Sequence, residues 1–137
     1  MSEAVALYRR ASEENGIEGV MRSLAAGVEL VSPLSGRFVF RDEKDVRILL
    51  TALYNGLRGW RWREELGEGS MRAVLGDGKI GPFKLADVMV VGLDDDGRIL
   101  RIRPYLRPWL GTTFLALVLG AKMAPHPGVM LRAARGG

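Results

Sequence analysis

The chain contains no cysteine and a single histidine, and these two absences exclude several kinds of functional site. Without cysteine there is no disulfide framework, no thiolate nucleophile and no thiolate metal site. One histidine, His126, cannot form a multi-histidine metal centre, and it gives Ser/His/Asp catalysis little support. Because prolines stand on both sides of His126, we expect it in an ordinary loop. We therefore expect neither a metal ion nor a cofactor.

Acidic residues are outnumbered by basic ones, but the basic residues form no long block. Twenty Lys and Arg against 16 Asp and Glu give a net charge of +4. Several arginines alternate with aromatic residues, a pattern that would also suit a nucleic-acid groove. We expect them instead to pair with acids or to lie at a dimer interface, without nucleic acid as a partner; they are Arg61, Arg63, Arg101, Arg103 and Arg107.

Long hydrophobic runs are also absent. The longest, WLGTTFLALVLGA at 109–121, is shorter than the ~20 residues that a helix needs to cross a bilayer. Arg107 and Lys122 flank it, so a helix lying on a membrane surface is one alternative. The preferred interpretation is a helix that closes a pocket or packs across a dimer, followed by a loosely ordered tail. The N-terminal sequence MSEAVALYRRASEEN lacks the apolar core of a signal peptide, so we expect a cytoplasmic protein.

Hydrophobic periodicity places the helices first and the strands second. Apolar residues at three- and four-residue spacing predict helices over 3–14, 17–26 and 43–57. A strand is expected from Gly27 to Pro33. Four more follow the third helix, with turns at 76–78 and 94–97; they are 59–66, 70–75, 83–91 and 98–109. This order predicts an α+β domain with its helices on one face of an antiparallel sheet.

One predicted strand carries a carboxylate among apolar residues. In FKLADVMVV, residues 83–91, alternation puts Asp87 on the same face as Phe83 and Met89. A charged carboxylate loses its hydration on such a face, so Asp87 should be neutral, have a partner or line a cavity. The opposite face, which begins at Lys84 and Ala86, is largely apolar too. Periodicity therefore leaves open which face is inward.

Residues 3–109 resemble the nuclear transport factor two-like, or SnoaL-like, superfamily. The resemblance rests on the order of the elements, on Ser32-Pro33 after the first strand, and on DDDGRILRIRPYLRPW at 94–109. It implies a cone formed by a strongly curved antiparallel sheet and three helices around an apolar pocket. Residues 110–137 would add an apolar helix and tail packed on the same domain. Such proteins include isomerases, cyclases, dehydratases and non-catalytic modules, so the fold alone leaves the function open.

Two of the three polar positions of ketosteroid isomerases have a match. Tyr8 falls at the first-helix tyrosine and Asp87 at the strand aspartic acid, which together hold an oxyanion in those enzymes. Ser32 falls where they have the general-base aspartate. A serine without a neighbouring base cannot take a proton near neutral pH, so this mechanism is not expected.

The sequence predicts an internal pocket that binds a small apolar or polycyclic molecule, with isomerase, cyclase or dehydratase chemistry left open. Glu64 is the candidate base, because alternation puts it on the face of two tryptophans; its alternative is an ion pair with an arginine. The candidate catalytic residues are Tyr8, Glu64 and Asp87, and the candidate substrate contacts are Ser32, Trp60, Trp62 and Phe83. We expect a homodimer. The alternative function is a non-catalytic dimerisation or protein-interaction module of the same fold.

Overall fold

The computed structural model describes residues 2–34 and 37–136, which form the α+β fold that was predicted. The helices are α1 (Glu3–Glu13), α2 (Ile17–Arg22), α3 (Glu43–Gly56), α4 (Trp109–Met123) and α5 (Pro127–Gly136). The strands are β1 (Leu24–Val31), β2 (Val39–Phe40), β3 (Leu57–Leu66), β4 (Met71–Ile80), β5 (Phe83–Leu93) and β6 (Ile99–Arg107). They form one open sheet in the order β2-β1-β6-β5-β4-β3. β1 runs parallel to β6 and the other neighbours are antiparallel, so the sheet is mixed rather than wholly antiparallel.

The two faces of the sheet differ in what covers them. On the inner face, residues such as Val74, Leu85 and Met89 are buried against the helices. On the outer face, the alternate residues of β5, such as Lys84 and Val88, are exposed. Asp87 belongs to the inner face, which settles the question that periodicity left open.

The prediction of a turn at 76–78 is wrong, because β4 continues through these residues to Ile80. The two glycines are there for packing. A Cβ atom on Gly76 would lie 2.5 Å from Cε3 of Trp62, and one on Gly78 would lie 2.8 Å from Cε3 of Trp60. Glycine inside a strand often marks such a close approach. The chain turns instead at Gly81, whose φ of +56° suits glycine.

The boundary between α2 and β1 also differs from the prediction. α2 ends at Arg22 and β1 begins at Leu24, three residues before the expected start at Gly27. Leu24 and Ala25 are buried, and the Leu24 backbone pairs with Ile99 of β6. This non-local pairing extends the strand into a segment that has the composition of a helix end.

The C-terminal segment is part of the core. Leu115 and Leu119 of α4 are buried with the inner face, and so are Val129 and Ala133 of α5. The Arg132 guanidinium binds the Asp45 carboxylate, with Nε 2.8 Å from Oδ2. The expectation of a loosely ordered tail is therefore wrong, because α5 has an apolar stripe and a charge partner on α3. No helix in residues 2–34 and 37–136 is long and apolar enough to span a membrane.

Candidate functional site at the inner face

Asp87 is a buried carboxyl group without a cationic partner in the described part of the chain. Its side chain is 9% exposed, and one oxygen accepts a hydrogen bond from the Tyr105 backbone N–H at 3.1 Å. Burial raises the pKa of Asp87 to about 7, and this hydrogen bond opposes the rise. Asp87 therefore keeps its proton up to about neutral pH and can act as a hydrogen-bond donor.

Two buried tyrosines are close enough to this carboxyl group for its charge to affect their pKa values. The Tyr8 and Tyr54 hydroxyl groups are 2.7 Å apart, and both side chains are buried. Burial raises the pKa of both phenols well above the usual value, and the charge of Asp87 raises each further. This electrostatic coupling places Tyr8, Tyr54 and Asp87 in one neighbourhood of the interior. Both phenols are neutral over the physiological pH range.

Two tryptophans complete the neighbourhood from β3. Trp62 donates from Nε1 to Ser12 Oγ at 2.8 Å, and its ring lies 6.3 Å from the ring of Tyr8. Trp60 contacts Trp62 edge to face, with ring centroids 5.4 Å apart. The Trp60 Nε1–H is buried and has no hydrogen-bond partner among the described residues. An unpaired buried donor is costly unless another molecule accepts its proton.

Gly76 brings these rings next to Asp87. On β4, Gly76 is paired with Trp62 on one side and with Asp87 on the other. A Cβ atom on Gly76 would approach Trp60 Cζ2 to 3.0 Å, so both indoles lie over this glycine. The sheet thus presents two aromatic rings, one unpaired N–H and one protonated carboxyl group in adjacent positions. Such a group can hold a polar oxygen of an otherwise apolar molecule.

Glu64 does not reach this site. It is exposed, and the expectation that it shares the face of Trp60 and Trp62 is wrong. The pairing of β3 with β4 shifts between Trp62 and Glu64, as in a β-bulge, and one extra residue reverses which side chains point inward. Glu65 is the buried acid instead, and it forms an ion pair with Arg72 at 2.7 Å.

The other predicted contacts lie at different places. Ser32 is half-buried beyond the end of β1, where its Oγ accepts the Leu34 N–H at 3.1 Å. Phe83 is half-buried and packs on Phe114 of α4, with ring centroids 5.2 Å apart. The structure therefore brings together Tyr8, Asp87, Trp60 and Trp62 but not Glu64 and Ser32, and it places Phe83 beneath α4.

Sequence reasoning missed Tyr54 and Ser12 as members of the site. Tyr54 is on the apolar stripe of α3, where its spacing is that of an ordinary core residue. Ser12 is buried on α1, where its hydroxyl donates to the Tyr8 carbonyl oxygen at 2.6 Å and accepts from Trp62. One sequence feature could have identified both residues. Each has a polar side chain on the apolar stripe of its helix, as Tyr8 does. Within the described ranges, no group of three or more His, Cys, Asp or Glu side chains is arranged to hold a metal ion.

No family model and no curated protein matches the sequence, but solved structures match the fold. A protein with a cystatin-like fold from Silicibacter pomeroyi superposes with a TM-score of 0.88 at 18% identity, covering 97% of this chain and 95% of that one. A steroid delta-isomerase from Pseudomonas aeruginosa gives 0.81 at 19% identity, covering 91% and 92%. A SnoaL-like polyketide cyclase from Shewanella denitrificans gives 0.65 at 8% identity, covering 84% and 95%.

These likenesses establish a fold class. The chain has the cone-shaped α+β fold of the nuclear transport factor two-like and SnoaL-like proteins. At identities below 20% the likeness is one of fold alone, and fold does not specify chemistry. What this chain does must be argued from its own site.

Proposed function

We propose that the chain binds a small apolar molecule at the inner face and holds one carbonyl or hydroxyl oxygen of it with Asp87 and Tyr8. The observation that carries this proposal is a buried carboxyl group with no cation beside it among residues 2–34 and 37–136, coupled electrostatically to a pair of buried tyrosines. A carboxyl group kept there only for stability would be replaced at little cost by an apolar side chain. A binding role explains why the polar group is retained.

The proposed ligand is mainly apolar and carries one polar oxygen. Protonated Asp87 donates to that oxygen, and Tyr8 donates as well when Tyr54 turns its own hydroxyl toward Tyr8. The unpaired Trp60 N–H is a further donor next to Gly76. The rings of Trp60 and Trp62 supply flat apolar walls, which suits a steroid or an aromatic polyketide better than a flexible polar metabolite.

Entry to this site requires α4 to move. Leu115 and Leu119 of α4 are buried against the inner face, and Phe114 covers Phe83 at its edge. A cleft bordered by Ser12 and Tyr54 is too narrow to hold a water molecule. In this proposal α4 opens to admit the ligand and closes to remove it from water, as lids do in many binding sites.

Proton transfer at this site would fall to Asp87 itself. Neither Glu64 nor Ser32 reaches the tyrosines, so neither of these predicted candidates can serve as a separate base. A carboxyl group with a pKa of about 7 can both give and take a proton near neutral pH. Isomerase or cyclase chemistry is therefore proposed only through the deprotonated fraction of Asp87, which takes a proton from one atom of the substrate and returns it to another, while Tyr8 holds the substrate oxygen.

A thermal-shift screen of steroid ketones and aromatic polyketides tests the proposal. A ligand present at 100 times its Kd should add about 2.7 kcal/mol to the free energy of unfolding. For a compound so identified, Tyr8→Phe should weaken binding about tenfold, because one hydrogen bond is worth about 1 kcal/mol or slightly more. Affinity should also fall between pH 6 and pH 8, as Asp87 loses its proton, and this pH dependence should disappear in Asp87→Asn.

The matched control is Tyr105→Phe, which removes an exposed hydroxyl group from the outer face. It should leave the affinity unchanged. A ligand that binds Tyr8→Phe and Asp87→Asn as tightly as the wild type at both pH values would contradict the proposal. So would a screen in which no compound of either class raises the unfolding temperature.

A further inference from the structure

Helix α4 exposes a continuous apolar surface, which we call the α4 ridge. Trp109 is 73% exposed, Leu117 69% and Leu110 48%. Thr113, Gly120 and Ala121 are exposed between and beyond them, and none of these six residues is charged. At 100° per residue they fall on the side of the helix opposite the buried Gly111, Leu115, Leu119 and Met123.

A helix that is apolar on both sides is normally buried on both sides. Only one side of α4 is covered, by the sheet and by α3. Single exposed leucines are common on protein surfaces, but a tryptophan and two leucines on one helical face form a patch of the kind that marks an interaction site. The ridge is therefore expected to meet another surface.

Unpaired cations lie next to the start of the ridge, at one end of the strands. We call this end of the molecule the basic end. β3 and β5 begin there, and β4 and β6 end there. The basic end comprises Arg58, Lys79, Lys84 and Arg107. Within residues 2–34 and 37–136, none of these four side chains forms a hydrogen bond or an ion pair. Gly111 at the start of α4 abuts the Lys84 carbonyl group, so the ridge and the basic end adjoin each other.

An apolar groove extends the basic end across the outer face. It has a volume of about 830 Å³, and its floor includes Leu75, Ala86 and Val88. Arg58, Lys79, Lys84 and Arg107 border it. Pro108, which directly precedes Trp109, also lines this groove, so the groove and the ridge meet at the start of α4.

Acidic residues gather at the opposite end of the strands. The β5–β6 hairpin carries Asp94, Asp95 and Asp96, and Glu3 adjoins it in the same surface groove. Glu68 is in the turn between β3 and β4, at that same end. The chain is therefore polarised along its strands, with positive charge where the ridge is and negative charge at the far end.

We infer that the α4 ridge and the basic end dock on an anionic membrane surface. Trp109, Leu110 and Leu117 enter the boundary between headgroups and acyl chains, and the four cations of the basic end contact anionic headgroups. The acidic end then points away from the lipid, which fixes the orientation. A symmetric pair of ridges would instead place eight unpaired cations in one dimer with no acid on either ridge to neutralise them, so a second copy fits the charges less well.

Vesicle binding tests this inference directly. The full chain should sediment with vesicles of phosphatidylcholine containing 30% phosphatidylglycerol and much less with phosphatidylcholine alone. Binding should weaken as salt rises, because the Debye length falls from about 10 Å at 0.1 M to about 3 Å at 1 M. Trp109 is the only highly exposed tryptophan among Trp60, Trp62 and Trp109. Its emission should shift to the blue on binding, and Trp109→Phe should remove the shift.

Matched variants separate the ridge from other exposed surface. Leu117→Glu should lower the vesicle partition coefficient at least tenfold, whereas Leu131→Glu, at a leucine of α5 that is 53% exposed, should not. Lys84→Glu should lower it more than about fivefold, since each cation near an anionic surface contributes about that factor. Arg10→Glu changes the charge by the same amount on α1, away from the basic end, so it is the matched control for Lys84→Glu. Thermal unfolding of each variant confirms that it is folded.

Three outcomes would overturn the inference. One is equal binding to the two vesicle compositions, or no binding to either. Another is a loss of binding in Leu131→Glu as large as in Leu117→Glu. The third is a wild-type dimer in solution that ignores vesicles and becomes monomeric in Leu117→Glu, which would assign the ridge to a second copy. The vesicle experiments use no inner-face ligand, so their failure would leave the proposed ligand site untouched, and the failure of the ligand screen would leave the vesicle result untouched.

Discussion

Asp87 is where this chain departs furthest from an ordinary core. Its neighbours on the inner face of β5 are Leu85 and Met89, and its carboxyl group is stabilised by one backbone hydrogen bond and by keeping its proton. The pKa of about 7 lies about three units above that of an exposed aspartate. The native state therefore binds a proton that the unfolded chain releases near pH 4.

Stability should accordingly fall as the pH rises from about 4 to about 7. In that window the folded chain holds more protons than the unfolded chain, so the free energy of unfolding has a negative slope against pH. Three units correspond to about 4 kcal/mol at most. We expect a higher urea midpoint at pH 5 than at pH 8 for the wild type. In Asp87→Asn, which stays neutral, this difference should largely vanish.

Asp77→Asn is the control for this prediction. The Arg63 guanidinium beside Asp77 holds the pKa of that carboxyl group below its usual value. Its contribution is lost only as the pH falls through that lowered pKa, so the difference between pH 5 and pH 8 should persist in this variant. A wild-type chain that is equally stable at both pH values would show that Asp87 is charged and solvated in the fold.

At the scale of elements, the docking of α4 depends on a glycine. Gly111 lies against the Lys84 carbonyl group of β5, and an added Cβ atom would overlap that backbone oxygen. Leu115 and Leu119 follow on the same side of the helix at four-residue spacing. The small residue therefore sets how closely α4 approaches the sheet and how completely these leucines are buried.

Gly111→Ala should destabilise the fold by about 1–3 kcal/mol, the usual cost of overpacking, although alanine favours the helix by up to about 1 kcal/mol. Gly120→Ala is a matched control on the same helix, because no atom lies within 4 Å of an added Cβ there. It should be neutral or slightly stabilising. Chemical denaturation of both variants measures the difference, and equal stabilities would mean that α4 is not seated on β5.

At the scale of the whole molecule, the segment after the sheet completes the core. Removing residues 110–137 would uncover the inner face where Leu115, Leu119 and Met123 of α4 pack, and would also remove Val129 of α5. Each large apolar side chain contributes about 1.5–3 kcal/mol through burial. The sum approaches the 5–15 kcal/mol that separates a folded domain from its unfolded state.

A chain ending at Trp109 should therefore lose cooperative thermal unfolding or aggregate. A chain ending at Met123 keeps α4 and loses only α5 with its Arg132–Asp45 ion pair, so it should fold with a lower melting temperature. Calorimetry of the three lengths distinguishes these outcomes. Unchanged melting of the shortest chain would show that α4 and α5 are appendages.

The sequence by itself predicted four of the five described helices, five of the six described strands and the fold class. Apolar residues recur with a period of 3.6 in helices and of 2 in strands. These periods involve residues close in the chain, so they can be recognised in a short stretch of sequence. The resemblance to ketosteroid isomerases, rather than periodicity, matched Tyr8 and Asp87 to two positions of one site, and in the structure the charge of Asp87 acts on Tyr8. What the sequence established about the site was therefore its two polar residues from α1 and β5.

Only the tertiary structure decided the rest, because the deciding contacts join residues distant in the chain. An irregularity in the β3–β4 pairing turned Glu64 outward. Gly76 and Gly78, which the sequence predicts as a turn, lie inside β4, where the rings of Trp60 and Trp62 pack against them. The depth at which Asp87 is buried, and hence its proton, depends on helices that reach it from elsewhere in the chain. A residue's face can be read from its neighbours, whereas its dielectric surroundings follow from the whole fold.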